Sequence, residues 1–358
     1  MVRVKHIIWL FLVSWMMIAC QQEKHDRCED DTNSLLSIED SMEVNPQFAR
    51  KKIDDGMKNA PDSLTYYEYM SRLGKLFVLS SSPDSMPQYI NPVVEFAEHQ
   101  PESPRRNSLL AYAYNCQAGN YHNFYKKRED VIMLYHKAYE LLKNSDSPKL
   151  MPDFCANLGD AYVFDNDLPK AALWYRKALF IADSLQLPKV QNASLYMGLG
   201  RIYLLLEDFE ASLNCYQQTE KSFSDLSLNL QAYFLNNYGN YYYYTKDYQT
   251  SLKKFLMLKK LLEKHDKRET FSMYLCKLNL ADVYLNLNQL DLSDKCLDEV
   301  EDYMRKNGDE TAIYYCNTIR IGQAVKKKDW NTVARILAGE KSNDQLDFSL
   351  LQIRHQYL

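Results

Sequence analysis

The chain has 358 residues, 46% of them hydrophobic and 25% charged, and its formal net charge of -4 argues against a dedicated nucleic-acid surface. Its eight cysteines stand at irregular spacings in a chain too long to need staples, so no obligatory disulfide framework is expected. No C-x-x-C or H-x-x-x-H occurs, which leaves zinc without a local signature.

The first twenty residues, MVRVKHIIWLFLVSWMMIAC, join a basic start (Arg3, Lys5) to an apolar run from Ile7 to Ala19. That is the layout of an export signal, and the run is too short to span a bilayer comfortably. Its end, MIAC, resembles the bacterial lipobox, with Ala19 small before the cysteine and Met17 in place of the usual leucine. The resemblance implies cleavage before Cys20 and lipidation of that residue, hence an exported chain anchored in the cell envelope. Residues 21–33 are polar and charged without apolar periodicity and read as a flexible tether. The short Lys326–Lys328 run reads as a solvated helix end.

Residues 34–150 read as divergent helical repeats, 151–307 as four well-matched ones (the last beginning near 274), and 308–358 as a further repeat with an unpaired terminal helix. The four central blocks start at Cys155, Tyr196, Leu235 and Lys277. Each has a large residue, a Gly or Ala, and a Tyr three further on, then a small residue nine later and a large one four after that. The small residues Gly159, Gly200, Gly239 and Ala281 recur 41, 39 and 42 positions apart. A Gly or Ala there lets the second helix of a hairpin approach closely, and the small residue on that second helix receives the first.

This pattern resembles the tetratricopeptide repeat, a two-helix hairpin, most completely in Leu158, Gly159, Tyr162, Ala171, Tyr175 and Ala178. The resemblance implies an all-α solenoid of antiparallel hairpins with a period of about 40 residues. It extends with less fidelity over roughly Ser63 to Gly339. Leu73, Gly74 and Phe77 fit, but Pro83, Pro87 and Pro92 interrupt the expected second helix. Ala111 and Tyr114 fit only with an insertion between Gly119 and Lys127 before Tyr135 and Ala138. Gly322 and Val325 are followed by Val333 and Leu337 one residue early, through a shorter turn.

Within the repeat, the four consecutive tyrosines from Tyr241 divide their work. Tyr242 takes the repeat's core tyrosine position, with Tyr238 before Gly239; Tyr241 packs toward a neighbouring repeat, and Tyr243 and Tyr244 fall on the first-helix face that lines the concave side. Tyr233, Asn236 and Asn240 share that face at helical spacing. Neighbouring repeats extend it with Asn157, Asp160 and Phe164, with Met197, Arg201 and Leu204, and with Asn279, Asp282 and Asn286. Tyrosine area and asparagine amides suit an extended peptide or protein segment. The best-known peptide-binding version of the family clamps an acidic C-terminus with lysines and an arginine. Here Ala156, Asp160, Met197 and Arg201 hold those positions, which argues against such a clamp.

No catalytic constellation stands out. GLGR at 198–201 has Tyr203 where a dinucleotide loop needs its last glycine, and no strand precedes it. The histidines are scattered, and no cofactor is implied. Three functions fit: a lipid-anchored, non-enzymatic binding scaffold; the exported sensor portion of a longer regulator, since the repeats resemble those of Bacteroidetes regulators; and nutrient or glycan capture. The terminal LLQIRHQYL looks like the first helix of another repeat, an apolar end where a partner or further chain would dock.

Overall fold

A computed structural model describes residues 35–42, 45–79, 83–122, 128–268, 270–306 and 310–339. Cys20, the tether at 21–33 and the terminal segment 350–358 lie outside these. The described residues contain helices and turns and no strand: α1 (Leu35–Ser41), α2 (Pro46–Lys58), α3 (Ser63–Leu79), α4 (Pro87–Glu98), α5 (Pro104–Asn120), α6 (Arg128–Leu142), α7 (Met151–Phe164), α8 (Leu168–Ser184), α9 (Asn192–Leu205), α10 (Phe209–Glu220), α11 (Leu228–Tyr244), α12 (Tyr248–Lys264), α13 (Phe271–Asn286), α14 (Leu290–Lys306), α15 (Glu310–Lys327) and α16 (Trp330–Gly339). None of them is long and apolar enough to cross a membrane. The fold is the all-α hairpin solenoid that the repeat pattern implies.

The hairpin turns repeat one solution. Asn166, Glu207, Lys246, Asn288 and Lys328 take left-handed φ between 57° and 64°. In four of the five turns the next residue is an aspartate whose carboxylate accepts the N–H three residues on: Asp167 from Lys170, Asp208 from Ala211, Asp247 from Thr250 and Asp329 from Thr332, at 3.0–3.1 Å. The cap satisfies a donor that the first turn of the second helix leaves open.

Close approach within hairpins is set by one position. A Cβ on Gly159 would sit 2.6 Å from the Tyr175 ring, one on Gly239 2.7 Å from Phe255, and one on Gly74 2.5 Å from Ile90. Each large partner lies sixteen positions after its glycine (159 to 175, 239 to 255, 74 to 90). The small residue twelve positions on adds a hydrogen bond in two hairpins: Ser251 Oγ donates to the Gly239 carbonyl at 2.9 Å and Ser293 Oγ to that of Ala281 at 2.6 Å.

The same spacing corrects three readings of the flanking repeats. In the α5/α6 hairpin the glycine that faces the second helix is Gly119, 3.6 Å by its notional Cβ from the Tyr135 hydroxyl and again sixteen positions before it. Ala111 and Tyr114 are buried two turns earlier on the same helix, and the insertion expected between Gly119 and Lys127 falls mostly on residues 123–127, outside the described ones. The prolines do not prevent α4. Pro87 lies in its first turn, where a missing N–H costs no helix bond, and only Pro92 lies inside. On α16, Val333 packs as expected, but Ile336 joins it in the small core with Ile321 and Ala324 while Leu337 is exposed.

Contacts divide the described chain into two units, one ending at Ile202 and one beginning at Tyr203. The division falls inside α9, within the block read as continuous from 151 to 307. In the first unit α1 is tied to α3 by a buried ion triad: Arg72 Nε donates to Glu39 Oε1 at 3.0 Å and Lys75 Nζ to Glu39 Oε2 at 2.9 Å. Burial pushes the Glu39 carboxyl up, yet Lys75 and Arg72 together pull it below its ordinary value. The Arg72 guanidinium also lies 3.9 Å from the Tyr112 ring centroid.

Candidate functional site

In the second unit the first helices of successive hairpins, α11, α13 and α15, contribute to one cleft. Asn236, Asn240, Tyr243, Tyr244, Phe255, Leu275, Asn279, Asp282 and Tyr315 line it. Its amides are laddered between repeats: Asn279 Nδ2 donates to Asn236 Oδ1 at 2.9 Å, and Asn286 Nδ2 to the Tyr243 hydroxyl at 3.3 Å. Asn286 also donates to the Asp282 backbone carbonyl at 2.9 Å and to Asp282 Oδ1 at 3.2 Å, while the Tyr315 hydroxyl donates to Asp282 Oδ2. Asp282 is therefore a carboxylate at 1% exposure, fixed by a phenol and an amide. Burial and the Asp282 charge both push the neighbouring Tyr248 phenol up.

Tyr243 and Tyr244 are half-buried, pack edge to face at 5.4 Å, and Tyr243 meets Tyr248 in the same manner at 5.6 Å. Their two neighbours in the run behave differently. Tyr241 is buried against Tyr216 of α10 with centroids 5.9 Å apart. Tyr242, expected in the core, is half-buried; the core ring is Tyr238, stacked on Tyr216 at 5.3 Å. The corresponding Tyr162, Tyr203 and Tyr284 are half-buried too. Three residues past the glycine, the helix has turned this side chain to the rim of the hairpin.

A smaller version of the ladder stands in the first unit. Asn157 Nδ2 donates to Asn115 Oδ1 at 3.0 Å. Asp160 Oδ1 accepts from the Tyr175 hydroxyl at 2.9 Å and from Arg201 Nη2 at 2.6 Å, an ion pair in which Arg201 is 7% exposed. Phe164 lies beside the His122 ring at 5.1 Å, and burial lowers the His122 pKa against the pull of Asp160.

Not every residue expected on this face reaches it. Met197, Leu204 and Tyr233 are buried, at 0%, 6% and 2% exposure, and offer a ligand no surface. Helical spacing placed them correctly along the face, but the face curves into the packing between adjacent helices. Tyr315, Phe255, Leu275, Asn115 and His122 escaped the sequence reading. Tyr315 belongs to a repeat with too weak a match to assign faces.

The six described cysteines are free thiols. Burial pushes Cys116, Cys155 and Cys215 up to about 12, so none of these three is a nucleophilic thiolate at neutral pH. Among the described residues no three His, Cys, Asp or Glu side chains cluster as metal ligands.

A family model described as a tetratricopeptide repeat matches residues 193–219. No curated protein matches the sequence. Among solved structures, the fold is similar to the apo form of RapI, with 13% identity and a TM-score of 0.62 over 85% of this chain and 83% of that one. It is similar to NprR in complex with its cognate peptide NprX, with 15% identity and a TM-score of 0.60 over 93% and 97% of the two chains. BtubC (BKLC) from P. vanneervenii gives 20% identity and a TM-score of 0.52 over 64% and 92%.

Proposed function

We propose that this protein is a non-enzymatic scaffold whose second unit holds an extended peptide or protein segment across α11, α13 and α15. The observation that carries the reading is the laddered cleft. In the Asn279–Asn236 bond, Asn236 only accepts. Its own N–H pair stays available, beside the Asn240 amide and the rims of Tyr243 and Tyr244. An extended backbone presents alternating N–H and C=O groups, which such amides match in either sense. The fold shared with NprR, crystallised with its cognate peptide, supports the same reading.

The test is an immobilised array of random heptapeptides probed with the full chain. A Tyr243→Ala, Tyr244→Ala double variant keeps its helical circular dichroism and loses about tenfold or more in affinity, because aromatic anchors carry most of an interface's energy. Wild-type binding by the double variant, or its unfolding, places the ligand face elsewhere.

The scaffold is anchored to the cell envelope through a lipid on Cys20. This part rests on the lipobox-like MIAC sequence. Cys20→Ser is expected to leave unprocessed precursor or to release the body from membranes, followed by fractionation and acyl labelling. Unchanged processing and retention in that variant would remove the anchor from the proposal.

A further inference from the structure

We infer that the cleft takes a proline-rich segment in the polyproline II conformation, an assignment that rests on the peptide-binding reading above and names the class of segment. The space the cleft encloses is about 20 Å³, room for a single water, so no large side chain of a ligand enters it and contact is made on the faces of its walls. Those faces are aromatic. Tyr243 stands edge to face with Tyr244, the ring planes 83° apart, and with Tyr248 of α12, 68° apart. Rings set at such angles form notches against which a pyrrolidine ring packs flat, the way aromatic-lined grooves hold proline-rich segments.

The amides add a direction. Asn240 can serve a ligand in either sense, but Asn236 is held in one: its Oδ1 is turned toward α13, where it accepts from Asn279 Nδ2 at 2.9 Å, and its own N–H pair is left for a ligand. The first unit sets Asn115 in the same sense, with Asn157 Nδ2 donating to Asn115 Oδ1 at 3.0 Å. In both pairs the later repeat donates and the earlier one accepts. A fixed side-chain donor calls for a carbonyl, and proline keeps its carbonyl while lacking the N–H. Any other residue brings an N–H that needs an acceptor of its own when water leaves. The carboxylate on the wall is already occupied, since both Asp282 oxygens accept, one from Asn286 and one from Tyr315. A polyproline II segment is also ordered before it binds, which lowers the entropy cost of lying on a shallow wall. Asn279 acts here as a positioning residue, setting the sense of Asn236.

Three fluorescent heptapeptides, of proline, of sarcosine and of alternating serine and alanine, test this by anisotropy with the full chain. Sarcosine lacks the N–H, as proline does, but has no ring and no fixed backbone. The proline peptide is expected to bind about tenfold tighter than the Ser-Ala peptide, with the sarcosine peptide between them. Asn279→Asp offers Asn236 a carboxylate in place of a donor, so the Asn236 amide turns over and presents its oxygen, and the proline-to-Ser-Ala ratio falls to about one. A merely structural loss would weaken the three peptides together and keep the ratio. Wild-type binding of the proline peptide no tighter than that of the Ser-Ala peptide overturns the assignment, and it leaves the groove reading standing where the random heptapeptide array gives binders that depend on Tyr243 and Tyr244. No binding of the proline peptide, with an array that gives no binders, overturns both. An unchanged ratio in a folded Asn279→Asp variant removes the positioning role of Asn279. The wild-type comparison stands whether or not that variant folds.

Discussion

Replacing Tyr175 with alanine is expected to destabilise the first unit by about 3–5 kcal/mol, the range for emptying a large aromatic site in a core. The ring is fully buried at 0% exposure. It touches two helices where each has discarded its side chain: a Cβ on Gly159 would lie 2.6 Å from it, and one on Gly198 2.2 Å. One phenol therefore fills the space between α8, α7 and α9, and its hydroxyl binds Asp160 at 2.9 Å, on the oxygen that also receives Arg201. Truncation leaves a cavity that the glycine backbones cannot close, and it strips one donor from a part-buried carboxylate. Phe180→Ala on the same helix is the control, since that ring is 72% exposed; it is expected to stay within about 0.5 kcal/mol of wild type. A urea series followed by hydrogen exchange over α7 to α9 reads both. Similar stability of the two variants would mean that Tyr175 does not hold the hairpins together.

The contact of Tyr175 with Gly159 is legible in the sequence, because its physics is local. A glycine, a tyrosine three residues on, an alanine at twelve and an aromatic at sixteen define two helices in van der Waals contact, and only small residues permit that approach. The same reasoning failed in α5, where Ala111 and Tyr114 form a plausible small-and-aromatic pair eight residues before the true one. Several small residues in one helix make the pattern degenerate, and only the distance to Tyr135 decides between them. The candidate cleft was half legible. Placed by helical spacing, Asn236, Asn240, Asn279 and Asp282 all line it; the two that are buried, Asn236 and Asp282, are hydrogen-bonded there, as polar residues out of water must be. Met197 and Tyr233 share that spacing and are buried, because exposure depends on the angle between neighbouring helices, which no single helix encodes.

The run of tyrosines leads to the second large effect: Tyr238→Ala is expected to cost about 3–5 kcal/mol in the second unit, whereas Tyr242→Phe costs about 1 kcal/mol. Across the four central repeats, the residue before the small position is Leu158, Leu199, Tyr238 and Leu280, all at 4% exposure or less. The residue two after the small position is Ala161, Ile202, Tyr241 and Val283, at 6% or less. This repeat has thus exchanged two aliphatic core residues for two phenols. The exchange is accommodated by aromatic packing: Tyr238 stacks on Tyr216 at 5.3 Å, leans on Phe234 at 5.2 Å and Tyr242 at 4.9 Å, and carries Lys254 over its face at 4.2 Å. Burial and the hydrogen bond from Tyr242 both push the Tyr238 phenol up, so the ring stays neutral within that cluster. Tyr242→Phe removes only that bond, 3.1 Å from hydroxyl to hydroxyl, at a half-buried position. Tyr238→Leu restores the residue of the other three repeats and is expected to recover part of the alanine loss, but not the stack with Tyr216, which a branched aliphatic chain cannot replace. Denaturant unfolding of the three variants orders them as Tyr242→Phe, Tyr238→Leu, Tyr238→Ala from most to least stable. If Tyr242→Phe proved as damaging as Tyr238→Ala, the core of this repeat would lie on the Tyr242 side of α11 and the aromatic cluster would not be what holds α10 to it.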